Sequence, residues 1–220
     1  MWRLVIETGG DSCQVGLMRG GEAVGGWRWD WPRRHAERLV WMVSEILRGE
    51  GVTWEEIEGV AIMIGPGSHT GLRVGLAAVK AWALRWRWRV YAVPLLRVLY
   101  EMARYQTGWE REVLTVWRAR GDEGYGHLWR DSTPQEGVGV IRPLIEWEAM
   151  DAAIGVGNVR LGARWLYVPE ISWIAVGKAS LGVEGVAGPE AIAGLVPIYF
   201  RPFIPTARRH GLTGSSAGGQ

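Results

Sequence analysis

Cysteine is all but absent from this 220-residue chain. Cys13 stands alone, which excludes an internal disulfide and a multi-cysteine zinc site. Histidine is nearly as scarce: His35, His69, His127 and His210 are the full set, and no two lie four residues apart. That spacing is what places two imidazoles on one helix face, so a helical His-x-x-x-His metal pair is excluded. No apolar run reaches 18 residues, and the N-terminus enters a strand pattern with no signal peptide. A soluble cytoplasmic protein with no membrane partner is the expectation. Neither charge sign dominates, with 25 Lys and Arg against 23 Asp and Glu, so any basic surface must be local. Phenylalanine is rare (2), whereas tryptophan is abundant (15). Trp must therefore fill core positions, where each indole N–H needs a partner, and it also suits protein-binding surfaces.

The pattern of short elements predicts an α/β fold. Residues 2–8, 13–18 and 22–29 read as three strands separated by Gly9-Gly10-Asp11-Ser12 and Gly20-Gly21. A helix follows from Arg34 to Arg48, then a short helical turn over Trp54–Glu58. Residues 59–64 form an apolar strand of the kind buried on both faces. A helix from Thr70 to Arg85, a strand over 88–93 and a helix from Pro94 to Gln106 complete this half. Residues 111–118, 124–130 and 137–142 then read as three further strands, with a helix over 143–150 and a strand over 152–156. The order strand-strand-strand-helix-strand occurs twice. Such duplication is the pattern of the actin-like, sugar-kinase and Hsp70-ATPase architecture, with subdomains expected over 1–106 and 107–205. Beyond Gly157 the second copy is short and glycine-rich, and residues 206–220 read as a disordered tail.

The densest signal is Gly65-Pro66-Gly67-Ser68-His69-Thr70-Gly71-Leu72-Arg73-Val74-Gly75, a strand, a tight glycine turn and a helix start. Ser68 or Thr70 can cap the helix, and its free N–H groups make an anion-friendly end. Mechanics alone leave a phosphate site and a structural turn both open. The whole string, however, resembles the G-P-G-S-[FY]-T-G-[LV]-R-[IV]-G signature of the TsaB (YeaZ) family, with His69 where an aromatic is usual. Val5-Ile6-Glu7-Thr8, Arg34-His35-Ala36-Glu37-Arg38-Leu39, Ala119-Arg120 with Glu123 and Tyr125, and Pro197-Ile198-Tyr199-Phe200-Arg201 resemble further family segments in order and spacing.

The resemblance implies an actin-like (ASKHA) fold and a non-catalytic role. The implied partner is a larger paralogue, TsaD, which transfers a threonylcarbamoyl group to adenosine 37 of tRNAs reading codons that begin with A. An ATPase, TsaE, joins the complex; tRNA is met through the complex, and the chain alone is expected to form homodimers. Two departures stand out. Glu7 replaces a first-strand Asp that in active relatives organises magnesium and phosphate, and Arg118 replaces the Asp of the second-half hairpin. Thr8, Gly10, Gly65, Gly67, Gly155 and Gly157 are the candidate lining of a weak remnant cleft for ATP or ADP, at a subunit interface. No catalytic or metal-ligating residue is assigned.

Helical spacing then sorts the surfaces. On the first helix Ala36, Leu39, Val40, Val43, Ile46 and Leu47 suit a core, and Trp41 falls among polar residues. On the second, Leu72, Leu76, Val79 and Ala83 form a bulky stripe, while Gly71, Gly75, Ala78 and Trp82 form a small one. Gly75 costs ~1 kcal/mol relative to Ala in a helix, so a close approach should compensate. That approach is expected both within the chain and from two equivalent partner helices, the four-helix arrangement the resemblance implies. The candidate interface is His35, Arg38, Trp41, Met42, Glu45, Gly71, Val74, Gly75, Ala78 and Trp82. Rival readings are an independent actin-like ATPase or kinase, a peptidase, and an RNA-binding module built on Arg85-Trp86-Arg87-Trp88-Arg89. That last run reads more simply as an edge strand with Trp inward and Arg solvated.

Overall fold

The computed structural model describes residues 1–30, 35–108, 112–130, 139–150, 154–162 and 164–200, and the side chains of the first helix from Arg38 onward. The tail expected to be disordered lies outside the described residues. Two five-stranded sheets share one topology. The first takes β1 (Trp2–Glu7), β2 (Cys13–Arg19), β3 (Glu22–Trp29), β4 (Ile57–Gly65) and β5 (Arg89–Pro94) in the order β3-β2-β1-β4-β5. The second takes β6 (Glu112–Arg118), β7 (Glu123–Arg130), β8 (Val140–Pro143), β9 (Ile154–Gly157) and β10 (Trp165–Tyr167), in the order β10-β9-β6-β7-β8. In each, three strands pair antiparallel and two add in parallel. The expected duplication is therefore a repeat of connectivity.

Strand alternation builds the layers. Leu4 and Ile6 of β1 join Val15, Val60 and Ile62 under α1 (His35–Glu50) and α2 (His69–Trp86), contacting Leu39, Val43, Leu76 and Val79. Val5, Ala61 and Met63 face the other way, onto α3 (Leu95–Thr107) and α5 (Trp173–Ala179). These two helices fill the layer between the sheets, because Val113, Trp129 and Val156 of the second sheet pack in the same cluster. A small cluster of Leu114, Val116, Val159 and Trp147 of α4 (Leu144–Glu148) closes the far side. No helix among the described residues is long and apolar enough to cross a membrane.

One expectation changes, and a stretch left unread takes shape. The Arg85–Arg89 run is no strand: α2 continues to Trp86, Arg87 caps it in the left-handed region (φ 58°), and β5 begins at Arg89. Trp86 is contacted by Arg85, 4.2 Å from its ring centre, and stacks on Trp54. The segment after Gly157, unreadable in sequence, holds β10, α5 and α6 (Pro189–Gly194). Its last part leaves the second half: Val186 bridges Val90, Ile192 enters the first core, and the Ile198 N–H donates to the Ile64 carbonyl. Residues 186–198 of this segment thus pack back on the first sheet.

Candidate functional site

The two halves meet at a cleft of about 680 Å³. The first half contributes Glu7 at the end of β1, the Gly9–Asp11 turn, Arg28, Asp30 and the Pro66–Ser68 turn; the second contributes Trp117, Asn158 and the Pro169–Ile171 segment. Gly10 and Gly67 of the expected nucleotide set are here. Thr8, Gly65, Gly155 and Gly157 are not, and each absence has a packing reason. Thr8 is fully buried beneath α2. A Cβ at Gly65 would lie 2.4 Å from the Ile198 carbonyl oxygen of the C-terminal strap. One at Gly155 would meet the Trp165 ring at 1.9 Å, and one at Gly157 the Val116 carbonyl oxygen at 1.7 Å. These second-half glycines admit neighbouring chain, leaving no room for a ligand.

A polar network spans the cleft. Arg28 Nη1 donates to Glu170 Oε2 at 2.7 Å, and Ser12 Oγ donates to Glu170 Oε1 at 2.6 Å. Gln14, buried in β2, donates through Nε2 to Ser12 Oγ (2.9 Å) and to the Ile171 carbonyl (3.0 Å), and its Oε1 accepts from the Trp173 N–H (3.1 Å). Glu170 and Ile171 are thereby tied to the first sheet. Arg28 also pairs with Asp30, so the lining's one guanidinium is already neutralised by two carboxylates. None of Ser12, Gln14, Arg28, Asp30 or Glu170 was singled out from sequence. Glu170 lies in the unreadable segment, and nothing in the spacing of the others links them.

Glu7 is the unusual group. It is fully buried, and its Oε1 accepts from the Gly9 N–H at 2.7 Å and the Gly10 N–H at 3.1 Å. Oε2 has no partner. Loss of hydration dominates and pushes the carboxyl up to about 8, although the two amides pull the other way. The other departure, Arg118, is held at the surface: its N–H donates to Asn158 Oδ1 and its guanidinium to the Gly121 carbonyl.

Whether this lining suits a nucleotide can be tested donor by donor. The Gly9 and Gly10 amides are spent on Glu7. The Ser68 N–H donates to the Gly9 carbonyl at 2.6 Å, and the Gly71 N–H to Ser68 Oγ at 3.2 Å. Ser68 is thus the cap of α2, and Thr70 is exposed. Phosphate needs free N–H groups or cations. These residues do not fit it. Among the described residues, no group of three His, Cys, Asp or Glu side chains could hold a metal ion.

The α1/α2 residues divide differently from expectation. Met42, expected at a partner surface, is fully buried, and Val40, expected in the core, is 51% exposed. Buried positions 39, 42, 43, 46 and 47 form one stripe, which rotates the helix by part of a residue step from the predicted face. Gly71 and Gly75 also turn inward: a Cβ at Gly71 would lie 1.8 Å from the Thr8 carbonyl oxygen, and one at Gly75 2.3 Å from Thr8 Oγ1. The close approach predicted for Gly75 exists, but it is to a strand end of the same chain. The outer face keeps Trp41, set edge-on to Trp27 at 5.4 Å, with half-buried Arg38, Glu45, Val74, Ala78 and Trp82 and exposed Leu84. His35 falls outside the described side chains. His69, in the place of the usual aromatic, stacks on Tyr199 at 4.1 Å and so meets the C-terminal strap with a ring.

Comparison with known proteins places these features. The model for TsaD, tRNA N6-adenosine threonylcarbamoyltransferase, matches residues 31–127. The tRNA threonylcarbamoyladenosine biosynthesis protein TsaB of Escherichia coli is 27% identical over 172 residues, 76% of this chain and 74% of that protein. YeaZ from Pseudomonas aeruginosa superposes with a TM-score of 0.69 at 25% identity, over 90% of this chain and 99% of that one. An inorganic polyphosphate/ATP-glucomannokinase from Arthrobacter sp. shares the fold at TM-score 0.51 and 12% identity, over 82% of this chain and 97% of that one. The duplicated sheets are thus the actin-like kinase fold, and the chain is similar to the TsaB (YeaZ) family in sequence over 76% of its length and in structure over 90%.

Proposed function

We propose that this chain acts in tRNA threonylcarbamoyladenosine formation as the non-catalytic partner that binds and activates the TsaD transferase. The observation that carries the reading is the division between an interior and an exterior. The cleft of a kinase-like fold is here tied up by its own side chains, whereas the outer face of α1 and α2 leaves apolar side chains exposed among the described residues. Val40, Trp41 and Leu84 are exposed there beside half-buried Val74, Ala78 and Trp82. A Trp ringed by polar residues is the anatomy of an interface anchor. A pair of helices from TsaD, itself related in sequence to residues 31–127, is the fitting occupant. The same face would join two copies when the partner is absent.

TsaE completes the assembly in this reading, and tRNA is met through the complex. The test is adenosine-37 modification with purified TsaD and TsaE, the threonylcarbamoyl adenylate being supplied. Omitting this chain should abolish multiple turnover, and the chain alone should modify no tRNA. Activity of the chain alone would refute the non-catalytic assignment.

A further inference from the structure

We infer that the Gly9–Gly10 turn is an anion-binding loop filled by the chain's own Glu7 carboxyl, so that the cleft excludes phosphate groups. Two successive backbone N–H groups converge on one oxygen, Glu7 Oε1, at 2.7 and 3.1 Å. Converging amides in a turn are the standard receptor for an anionic oxygen, and here the oxygen is supplied from two residues upstream. The turn has no freedom to present its amides elsewhere. A Cβ at Gly67 would lie 2.5 Å from the Gly9 carbonyl oxygen, which also accepts from the Ser68 N–H, so the Pro66–Ser68 turn clamps Gly9 from above. A Cβ at Gly10 would lie 3.3 Å from Glu7 Oε2, so the carboxyl fills the space beneath.

Oε2 is the second observation. It is buried and unpartnered in a residue with no solvent exposure that lines the cleft. A group left half-satisfied inside a protein costs free energy that its surroundings must offset. The gain on the other side is exclusion: an entering phosphate would have to displace Glu7 from both amides and then face Asp11, Asp30 and Glu170 with only the neutralised Arg28 as counter-charge. The ionisable groups around Glu7 are Glu170 across the cleft, Arg28 on β3 and Cys13 on β2, whose thiol burial pushes up to about 12. Arg28 favours the charged carboxylate and Glu170 opposes it, and loss of hydration outweighs both. Burial at the same time keeps the plug largely uncharged at neutral pH, so it stays in place as a neutral acceptor. The inference concerns the chain by itself and stands or falls separately from its pairing with TsaD.

The experiment is calorimetric titration of the isolated chain with sodium tripolyphosphate and, separately, with ADP. The wild type and Glu7→Gln, which keeps an oxygen acceptor for both amides, should give no saturable heat. Glu7→Ala frees the amides and should bind tripolyphosphate at least about tenfold more tightly than either. A wild type that binds tripolyphosphate as tightly as Glu7→Ala overturns the inference. So does a folded Glu7→Ala that gains no binding. Should Glu7→Ala not fold, the wild-type Gly9 and Gly10 amide proton resonances decide: both should shift with one common midpoint near 8, absent in Glu7→Gln. Amides with no shared midpoint would show that the carboxyl does not sit on them.

Discussion

Gly75→Ala separates an interface glycine from a packing glycine. In an open helix the change would stabilise by ~1 kcal/mol, since Gly is the costlier residue in a helix interior. In this structure the new methyl would stand 2.3 Å from Thr8 Oγ1 and 3.3 Å from Ile62 Cδ1, the first about 1 Å inside ordinary contact. Thr8 is fully buried and sits at the exit of β1, so it has little room to retreat. Overpacking of this kind costs about 1–3 kcal/mol, which leaves a net loss of roughly 0–2 kcal/mol after the propensity gain. Gly75→Leu should lose about 3 kcal/mol or more by the same route. Gly71→Ala should be harsher than Gly75→Ala, because its methyl meets a backbone oxygen that no rotamer can move. The decisive construction is a double-mutant cycle with Thr8→Ala, which removes the obstructing hydroxyl. The pair should be less destabilised than the sum of the singles by about 1–2 kcal/mol. Urea denaturation of the isolated chain, read by tryptophan fluorescence, gives all four corners. A Gly75→Ala variant more stable than wild type, with zero coupling to Thr8, would refute the packing. Loss of TsaD binding by a variant of wild-type stability would instead return Gly75 to the interface.

Trp41→Ala should weaken TsaD binding at least about tenfold, as expected for an aromatic anchor, with an unfolding midpoint close to wild type; surface plasmon resonance against immobilised TsaD measures the first. Arg28→Ala should shift stability by no more than about 1 kcal/mol, because the pair it makes with Glu170 is partly exposed. Glu170→Ala should cost more in the same denaturation assay, since Ser12 also relies on that carboxylate. The raised Glu7 carboxyl sets a pH window. In the unfolded chain it ionises near 4.5 and in the fold only near 8, so between these values the folded state holds the extra proton. Stability should therefore fall as pH rises from about 4.5 to about 8 and level off above, by a few kcal/mol at most. Glu7→Gln should flatten that slope, and an unchanged slope would place the titration elsewhere.

What the sequence made legible was whatever repeats locally. Two strand-strand-strand-helix-strand runs could be counted because each strand alternates and each turn carries glycine. The Arg85–Trp86–Arg87–Trp88–Arg89 run misled because its alternation mimics a strand, and the left-handed residue that ends α2 is an arginine, not the expected glycine. Val40 and Met42 exchanged places because they stand at opposite edges of the helical stripe, and only the sheet beneath fixes the rotation. The small face of Gly71 and Gly75 announced a close approach without saying to what. The cleft network was invisible for a different reason: Ser12, Gln14 and Arg28 meet Glu170 across more than 140 residues of chain, a juxtaposition that no local pattern encodes.

The two halves also show where the duplication has decayed. In the first, 18-residue α2 carries the chain from β4 to β5, and 16-residue α1 lies beside it. In the second, the corresponding crossover is the short link between Gly157 and Trp165, and the helix before β9 has five residues. A parallel connection normally takes a dozen residues or more; the brief link is feasible because β10 is only three residues long. The sheets themselves had to persist, since both supply the apolar walls around α3 and α5. A crossover helix on the second half's outer face had no such duty. The link carries no helix among its described residues, and the glycines of β9 seat Trp165 and Val116. The first half kept both outer helices although Val40, Trp41 and Leu84 gain nothing from the exposure they have. Apolar side chains retained on one face, beside a cleft closed by its own carboxyls, are the distribution expected of a subunit that works through its outer surface.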